Sequence, residues 1–236
     1  MPADPRPSVD LNADLGEEVT DDAALLTVVT SANVACGYHA GTAEIMRAVC
    51  EEAARLGVSV GAQVSYADRE NFGRVEIDVD VEVLREQVAD QVGTLAQIAV
   101  SCGTEVRYVK PHGALYHRVT DDPEQAEAVL AGSGRFPVLG FPGSRFLALA
   151  AAAGRAAYVE GFPDRGYRDG RLLDRAEPGA LLEGDEAIAA QAVDLAPDVA
   201  SLCVHGDSPD AVAHVHAVRR ALETAGYSVR PFLPGR

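Results

Sequence analysis

The chain has 236 residues, of which 47% are hydrophobic, so it is long enough to bury the core of one sizeable domain. Its formal net charge of −16 argues against nucleic-acid and membrane-surface partners, because both require basic patches. The sequence lacks an apolar run of about 18 residues that could span a bilayer, and its first residues lack the apolar core of a signal peptide. These features predict a cytoplasmic protein.

Short apolar segments alternate with longer amphipathic ones along the chain, an order typical of β/α units around a parallel sheet. Seven strands are predicted, at residues 9–15, 31–36, 59–64, 105–111, 137–141, 156–162 and 201–207. Apolar residues recur at helical spacing over 42–57 and over 81–99, where Gln91 interrupts the apolar stripe. Cap and stop residues predict helix boundaries at Gly57, Asp122, Pro123, Ser208, Pro209, Asp210 and Gly226.

Polar side chains follow the end of almost every predicted strand. They are Asn12, Asp14 and Glu17, then Asn33 and His39, Gln63, Lys110 and His112, Glu160, Asp164 and Arg165, and His205 and Asp207. In an open doubly wound sheet such residues concentrate at one switch point, whereas all strand ends of a closed barrel open onto one face. The distribution therefore favours a seven-stranded parallel (β/α) barrel, TIM-barrel-like, formed by a single domain over residues 1–236, with residues 1–8 as a flexible extension.

Alternating polar residues mark the first predicted strand. Asp10, Asn12 and Asp14 share one face of this strand if it is extended. Three polar side chains directed into a core are costly unless they line a site, which makes Asp14 a candidate catalytic carboxylate. The alternative is an exposed first strand whose polar residues face the solvent.

The segment VKPHGALYH (109–117) contains Lys110, the only lysine among 20 cationic residues. An exposed lysine can be replaced by arginine, but a crowded anion site requires the compact ammonium, and burial can lower the pKa of a lysine. The alternative is a chance lysine on a solvated strand end. Its position favours a catalytic role, with His112 on the same side of the strand as an acid–base or polarising group. His117, which follows two apolar residues, has less support.

Metal and nucleotide sites have little support in the sequence. His39 and a carboxylate such as Asp14 are candidate ligands of a divalent metal, but two ligands do not define a site. His214 and His216 face different sides of a helix and are predicted to be structural. The four cysteines form no CxxC pair and are predicted to be small buried side chains. No GxxxxGK[ST] or GxGxxG phosphate-binding motif is present.

Six motifs, in this order, resemble the LamB/YcsF family, whose members serve as the A component of bacterial 5-oxoprolinase: DLNADLGEE, SANVACGYHAGT, GAQVSYADRENFGR, VKPHGALYH, EGFPDRGYRDGRLLDRAEPGAL and LCVHGDSP. The resemblance runs from about Val9 to the last predicted helix. It implies a seven-stranded (β/α) barrel related to the glycoside hydrolase/deacetylase superfamily. It also implies hydrolysis of 5-oxoproline (pyroglutamate) to glutamate with ATP and Mg²⁺, together with partner subunits B and C.

The resemblance also implies a set of site residues. Positions that match the family pattern are Asp14, Asn33, His39, Lys110, His112, Asp164, Arg165, His205 and Asp207. We expect Asp14, Lys110 and His112 to be catalytic, and the substrate-binding residues to be Asn12, Asn33, His39, Gln63, Asp164, Arg165, His205 and Asp207. Gln63 stands where the family pattern has a histidine, which counts against a metal site and leaves the exact substrate open. Val64, Ala67, Thr42 and His117 also depart from the pattern.

The implied chemistry fits these residues. A lactam is a stabilised amide, and phosphorylation of its oxygen by ATP would activate it towards water. Asp14 would act as general base and His112 as acid or polarising group, while Lys110 and Arg165 would hold a carboxylate or phosphate. Two other functions remain compatible with the sequence: a metal-dependent amidase or deacetylase acting on a carbohydrate-like substrate, and a non-catalytic substrate-binding subunit.

Overall fold

The computed structural model describes residues 6–206 and 210–233. Its strands are β1 (Ser8–Leu15), β2 (Ser31–Ala35), β3 (Ser59–Val64), β4 (Val106–Pro111), β5 (Val138–Gly140), β6 (Ala157–Gly161), β7 (Tyr167–Arg168), β8 (Arg171–Leu172), β9 (Ser201–Val204) and β10 (Ser228–Val229). Its α-helices are α1 (Asp22–Leu26), α2 (Ala43–Leu56), α3 (Val81–Ser101), α4 (Gly113–Asp121), α5 (Pro123–Gly132), α6 (Arg145–Ala152), α7 (Asp185–Leu195) and α8 (Ala211–Thr224). Asp207 and the predicted cap residues Ser208 and Pro209 lie outside the described residues.

Seven parallel strands close into a barrel. Strands β1 to β6 pair in chain order, β6 pairs with β9, and β9 pairs back with β1. This closure confirms the predicted seven-stranded barrel and excludes the open sheet. The seven predicted strands correspond to these seven, with small shifts at their ends.

Three short strands were not predicted. Strands β7 and β8 form an antiparallel hairpin after β6, and β10 extends the sheet beside the start of β1. Ser8, the last residue of the predicted extension over residues 1–8, is the first residue of β1 and pairs with Ser228 of β10, while residues 1–5 lie outside the described residues.

The helices cover the outer face of the barrel and pack against its apolar side chains in one large core. Helix α2 begins where the side chain of Thr42 accepts a hydrogen bond from Ile45, and it ends at Gly57, as predicted. Helix α3 runs two residues beyond its predicted end. Gln91, the polar residue in its apolar stripe, is buried and bonds both backbone groups of Ser65, so it anchors the loop after β3. Within the described part of the chain, no helix has the length and apolar character needed to cross a membrane.

The interior of the barrel is polar. Near its amino-terminal end, Asp10 accepts hydrogen bonds from the hydroxyl groups of Thr30, Ser31 and Ser201. Burial raises the pKa of Asp10 to about 6, although these hydroxyls lower it in part. Asp14 lies four residues further along β1, at the carboxyl end of the barrel. The alternation predicted for the first strand is therefore confirmed, and the exposed-strand alternative is excluded because β1 is buried from Val9 to Leu15.

Candidate active site at the barrel mouth

A cavity of about 470 Å³ opens at the carboxyl ends of the strands. Its lining includes four cationic side chains and two carboxylates: Arg74, Lys110, Arg165, Arg175, Asp14 and Asp174. This wall is locally positive in a chain of net charge −16, so it favours an anionic ligand. A larger, shallower hollow of about 980 Å³ lies at the opposite end of the barrel and is lined by none of the predicted site residues that the structure describes.

Lys110 lies at the centre of a buried group that we call the lysine cluster: Asp14, Lys110, Glu160 and Cys203. The Nζ atom of Lys110 lies 3.3 Å from Oδ1 of Asp14, 3.1 Å from Oε2 of Glu160 and 3.0 Å from Sγ of Cys203. Burial alone would lower the pKa of Lys110, but Asp14, Cys203 and Glu160 raise it well above its ordinary value. Lys110 is therefore a fixed cation rather than a lysine made basic or nucleophilic by burial.

The two carboxylates that flank Lys110 differ in basicity. Burial raises the pKa of Asp14, but Lys110, His205 and His112 outweigh this effect and lower it below its ordinary range. Burial raises the pKa of Glu160, which Lys110 offsets only in part. Asp14 is therefore ionised at neutral pH, while Glu160 holds a proton more readily, a difference typical of paired acid and base groups.

Asn33, which is bonded to Asn12, fixes the position of the Asp14 carboxylate. Asn33 donates hydrogen bonds to Oδ1 of Asp14 at 2.9 Å and to Oδ1 of Asn12 at 2.6 Å, and it accepts one from the Tyr108 hydroxyl at 2.7 Å. Gly61 leaves space for the Tyr108 ring, because a Cβ atom at Gly61 would lie 2.3 Å from it. Asn12 and Asn33 are fully buried and do not line the cavity. In this structure they orient Asp14, and their contact with substrate stays a prediction.

A second buried group, the histidine cluster, consists of Glu17, His39, Gln63 and His112. The Nε2 atom of Gln63 lies 2.9 Å from both Oε1 of Glu17 and Nδ1 of His112. The other ring nitrogen of His112 lies 3.1 Å from the carbonyl oxygen of Phe72, which can only accept, so Nε2 carries the proton. Burial and the neighbouring His39 lower the pKa of His112 well below its ordinary value, so its ring is neutral.

The two candidate metal ligands of the sequence, Asp14 and His39, belong to different clusters in the structure. Asp14 is bound to Lys110, and the carboxylate beside His39 is Glu17, 3.8 Å from its Nε2 atom. One ligand atom from each of Glu17, His39 and His112 lies within 4.8 Å of the others. Neither His39 nor Gln63 lines the cavity, and their contact with substrate stays a prediction.

The remaining predicted residues shape one wall of the cavity. Arg165 lines it, but its guanidinium donates to the carbonyl oxygens of Ala180 and Leu173 and so holds the loop that contains the β7–β8 hairpin. Asp164 accepts hydrogen bonds from the backbone and the ring of His205, at 3.0 and 2.8 Å. It therefore orients His205, which lines the cavity, but it does not line the cavity itself. His117 also lines the cavity, from helix α4.

Sequence reasoning noted Glu17 and Glu160 as polar residues at strand ends but gave them no role. It predicted Cys203 to be a small buried side chain, which it is, without its contact with Lys110. A usable signal existed for Glu160, since it is the one charged residue of an apolar strand. A buried charge requires a partner, and the lone lysine was the available cation.

Comparisons with known proteins agree with this architecture. The model of the LamB/YcsF family matches residues 9–235. The A component of 5-oxoprolinase from Streptomyces griseus is 50% identical, with 95% of this chain and 99% of that protein aligned. The crystal structure of a lactam utilization protein from Thermus thermophilus has a TM-score of 0.88 at 33% identity, covering 94% of this chain and 99% of that one.

A more distant likeness concerns the fold alone. The catalytic domain of a peptidoglycan N-acetylglucosamine deacetylase from Eubacterium rectale has a TM-score of 0.57 at 12% identity, covering 98% of this chain and 93% of that one. The barrel is therefore shared with deacetylases of this type.

Proposed function

The chain belongs to the LamB/YcsF family, and from this premise we propose that its barrel mouth hydrolyses a small cyclic amide, opening 5-oxoproline to glutamate as the A component of an ATP-dependent 5-oxoprolinase. The observation that carries the proposal is the position of Lys110, held between Asp14 and Glu160 beside a cationic cavity. A fixed ammonium and an ionised carboxylate can together bind an anion, activate water and return its proton to the leaving nitrogen. The names of the Streptomyces and Thermus relatives support the substrate class.

Asp14, Lys110 and Glu160, the charged members of the lysine cluster, each have a role in this proposal. Asp14 takes a proton from the water that attacks the activated carbonyl carbon. The ring C–N bond then breaks, and Asp14 returns this proton to the leaving nitrogen, which leaves the phosphoryl group on the new carboxyl as an acyl phosphate. A second water hydrolyses the acyl phosphate to glutamate and inorganic phosphate. Glu160, which does not line the cavity, holds the ammonium of Lys110 in place. Lys110 and the arginines of the cavity wall stabilise the substrate carboxylate and the charge that develops on the carbonyl side. His112 is a weaker candidate for the acid than the sequence indicated, because its one ring proton is bound to Phe72.

The ATP-dependent step is assigned to partner subunits. The sequence contains no phosphate-binding loop of a known type, and the relatives are named as one component of a multisubunit enzyme. We propose that subunits B and C activate the lactam with ATP and Mg²⁺, and that this chain accepts the activated substrate in its cationic cavity.

Reconstitution tests this proposal. The full chain is mixed with 5-oxoprolinase subunits B and C, ATP and Mg²⁺, and glutamate formation from 5-oxoproline is measured. Glutamate should form only when all components are present, and Asp14→Asn should lower the rate by about a hundredfold or more. Asp194→Asn, an exposed change on helix α7, is the matched control and should leave the rate unchanged.

Other outcomes would contradict it. Tight ATP binding by this chain alone, with 5-oxoproline-stimulated phosphate release, would refute the division of labour. Full activity after loss of both Asp14 and Lys110 would identify a non-catalytic binding protein.

A second candidate function is a metal-dependent amidase or deacetylase that acts on a carbohydrate-like substrate. The observation that favours it is the grouping of Glu17, His39 and His112 near the barrel mouth. Release of acetate from an N-acetylated sugar without ATP or partner subunits would support this function over the first.

A further inference from the structure

We infer that the histidine cluster binds a divalent transition-metal cation, with Glu17, His39 and His112 as ligands and the side-chain amide oxygen of Gln63 as the fourth. This inference rests on the geometry of the cluster and not on the proposed hydrolysis of 5-oxoproline.

The charge of the cluster favours a cation. Glu17 is 6% exposed. Its carboxylate faces Nε2 of His39 at 3.8 Å and Nδ1 of His112 at 3.5 Å. A neutral imidazole such as that of His112 does not neutralise a buried carboxylate, whereas a bound cation would.

His112 already has the orientation of a metal ligand. Its Nε2–H donates to the carbonyl oxygen of Phe72, which leaves the lone pair of Nδ1 directed towards the cluster. Phe72 has a φ of 59°, a conformation rare for a bulky residue, and its backbone holds that carbonyl in place. Histidines that bind metals almost always donate their other ring N–H in this way, because the bond fixes the tautomer and the ring.

The ring nitrogens of His39 are the next candidate ligand atoms. Both are buried, and neither has a hydrogen-bond partner among residues 6–206 and 210–233. Its ring stacks on that of His112, with centroids 4.1 Å apart and planes 13° from parallel. Two parallel rings cannot direct lone pairs at one point, so binding requires the His39 ring to turn. This rotation breaks no hydrogen bond.

Gln63 occupies the remaining position. Its Nε2 atom lies 2.9 Å from both Oε1 of Glu17 and Nδ1 of His112, which are 3.5 Å from each other. Its Oε1 atom is buried and has no partner among the described residues. Rotation of the amide by half a turn exchanges the two ends without moving the backbone, and it presents an oxygen ligand. Ligand atoms around one tetrahedral Zn²⁺ lie about 3.4 Å apart, close to the spacing of the Glu17 and His112 atoms.

The ligand set indicates the class of metal. Two imidazoles with one carboxylate suit Zn²⁺, Co²⁺ or Ni²⁺, whereas Mg²⁺ and Ca²⁺ prefer oxygen ligands throughout. The inferred site is therefore selective for the first group.

Metal titration tests the inference. The full chain is stripped with a chelator and titrated with Zn²⁺, Co²⁺ or Mg²⁺, while bound metal is measured by elemental analysis and calorimetry. We expect one equivalent of Zn²⁺ or Co²⁺ per chain and no stoichiometric Mg²⁺. His39→Gln and Gln63→Leu should each weaken Zn²⁺ binding by at least about tenfold, and Gln63→Glu should strengthen it. His216→Gln, at an exposed histidine of helix α8, is the matched control and should bind like the wild type.

Thermal unfolding provides a second readout. Zn²⁺ should raise the Tm of the wild type, because a ligand that binds only the folded state stabilises it, and at the same Zn²⁺ concentration it should raise the Tm of folded His39→Gln by less. If His39→Gln does not fold, Glu17→Gln replaces it in both measurements. Failure of the wild type to bind one equivalent would overturn the inference, as would equal Zn²⁺ affinity in His39→Gln or Glu17→Gln. Both readouts are independent of activity, so failure of the proposed hydrolysis would leave them intact.

Discussion

The lysine cluster and the histidine cluster lie at the same end of the barrel and are both buried, but they handle charge differently. In the lysine cluster, the ammonium group of Lys110 lies within 3.3 Å of a carboxylate oxygen on each of Asp14 and Glu160. In the histidine cluster, Glu17 faces imidazoles, and both nitrogens of His39 lack hydrogen-bond partners within the described chain. The lysine cluster therefore contains its own cation, whereas the histidine cluster contains ring nitrogens that could bind a cation.

This difference follows from which residue types the strands and loops bring together. Gln63 and Lys110 are register partners on β3 and β4, so the clusters are neighbours. A lysine supplies a permanent charge, and its burial is tolerated only because carboxylates surround it. Imidazoles supply lone pairs without charge. One end of a small barrel can therefore hold a site with a built-in charge beside a site that is able to bind a metal ion.

The largest expected effect comes from removing the built-in cation. Lys110→Met leaves Asp14 and Glu160 buried without their partner, so the free energy of unfolding should fall by about 3–5 kcal/mol. His39→Leu should cost less, because His39 has no hydrogen bond to lose among the described residues. Urea unfolding at pH 7 measures both. Equal losses of unfolding free energy in the two variants would contradict this difference between the clusters. Adding Glu160→Gln to Lys110→Met should recover part of the stability.

A smaller effect is expected when the charge is kept but its shape is changed. Lys110→Arg preserves a cation, so most of the stability should remain. The broad guanidinium cannot take the place of an ammonium within 3.3 Å of three neighbours. Displacement of the reacting groups by about 1 Å should then lower 5-oxoproline hydrolysis by about a hundredfold. The assay is the reconstituted enzyme, with the exposed change Arg47→Lys as control; near-normal turnover in Lys110→Arg would contradict the proposed role.

The sequence was informative wherever periodicity controls position. Alternation along β1 correctly indicated that Asp10, Asn12 and Asp14 face the barrel interior, and polar strand ends correctly indicated a closed barrel. Alternation does not report depth along the barrel axis. Alternation therefore groups Asn12 with Asp14, although Asn12 lies one layer deeper in the barrel and its side chain bonds Ser201 and Asn33.

Loops were the part that sequence reasoning could not resolve. Glu17 and His39 follow β1 and β2 on segments without periodicity, so nothing in the pattern showed that they meet. Arg165 carries the right charge for an anion site, but its bonds to Ala180 and Leu173 depend on an unpredicted hairpin. Local pattern gives the direction of side chains on strands, whereas contacts between loops are set by the packing of the whole barrel.

The smallest expected effect is a difference in acid sensitivity between the clusters. Burial lowers the pKa of His112 in the folded state, so below pH 6.5 the unfolded chain takes up a proton that the folded chain does not. His112 therefore costs stability as the pH falls through this range. Asp14 has a lowered pKa, so its contribution is lost only below about pH 4.

Relative to His112→Gln, the wild type should consequently lose about 1 kcal/mol of unfolding free energy between pH 7 and pH 5.5. Glu17, whose raised pKa acts in the opposite direction, is present in both proteins, so its contribution largely cancels in the difference. Urea unfolding at several pH values, in chelator to exclude metal, gives this difference directly. Parallel pH profiles would show that His112 takes up its proton over the same pH range in the folded and the unfolded chain, and would contradict the lowered pKa of the buried ring.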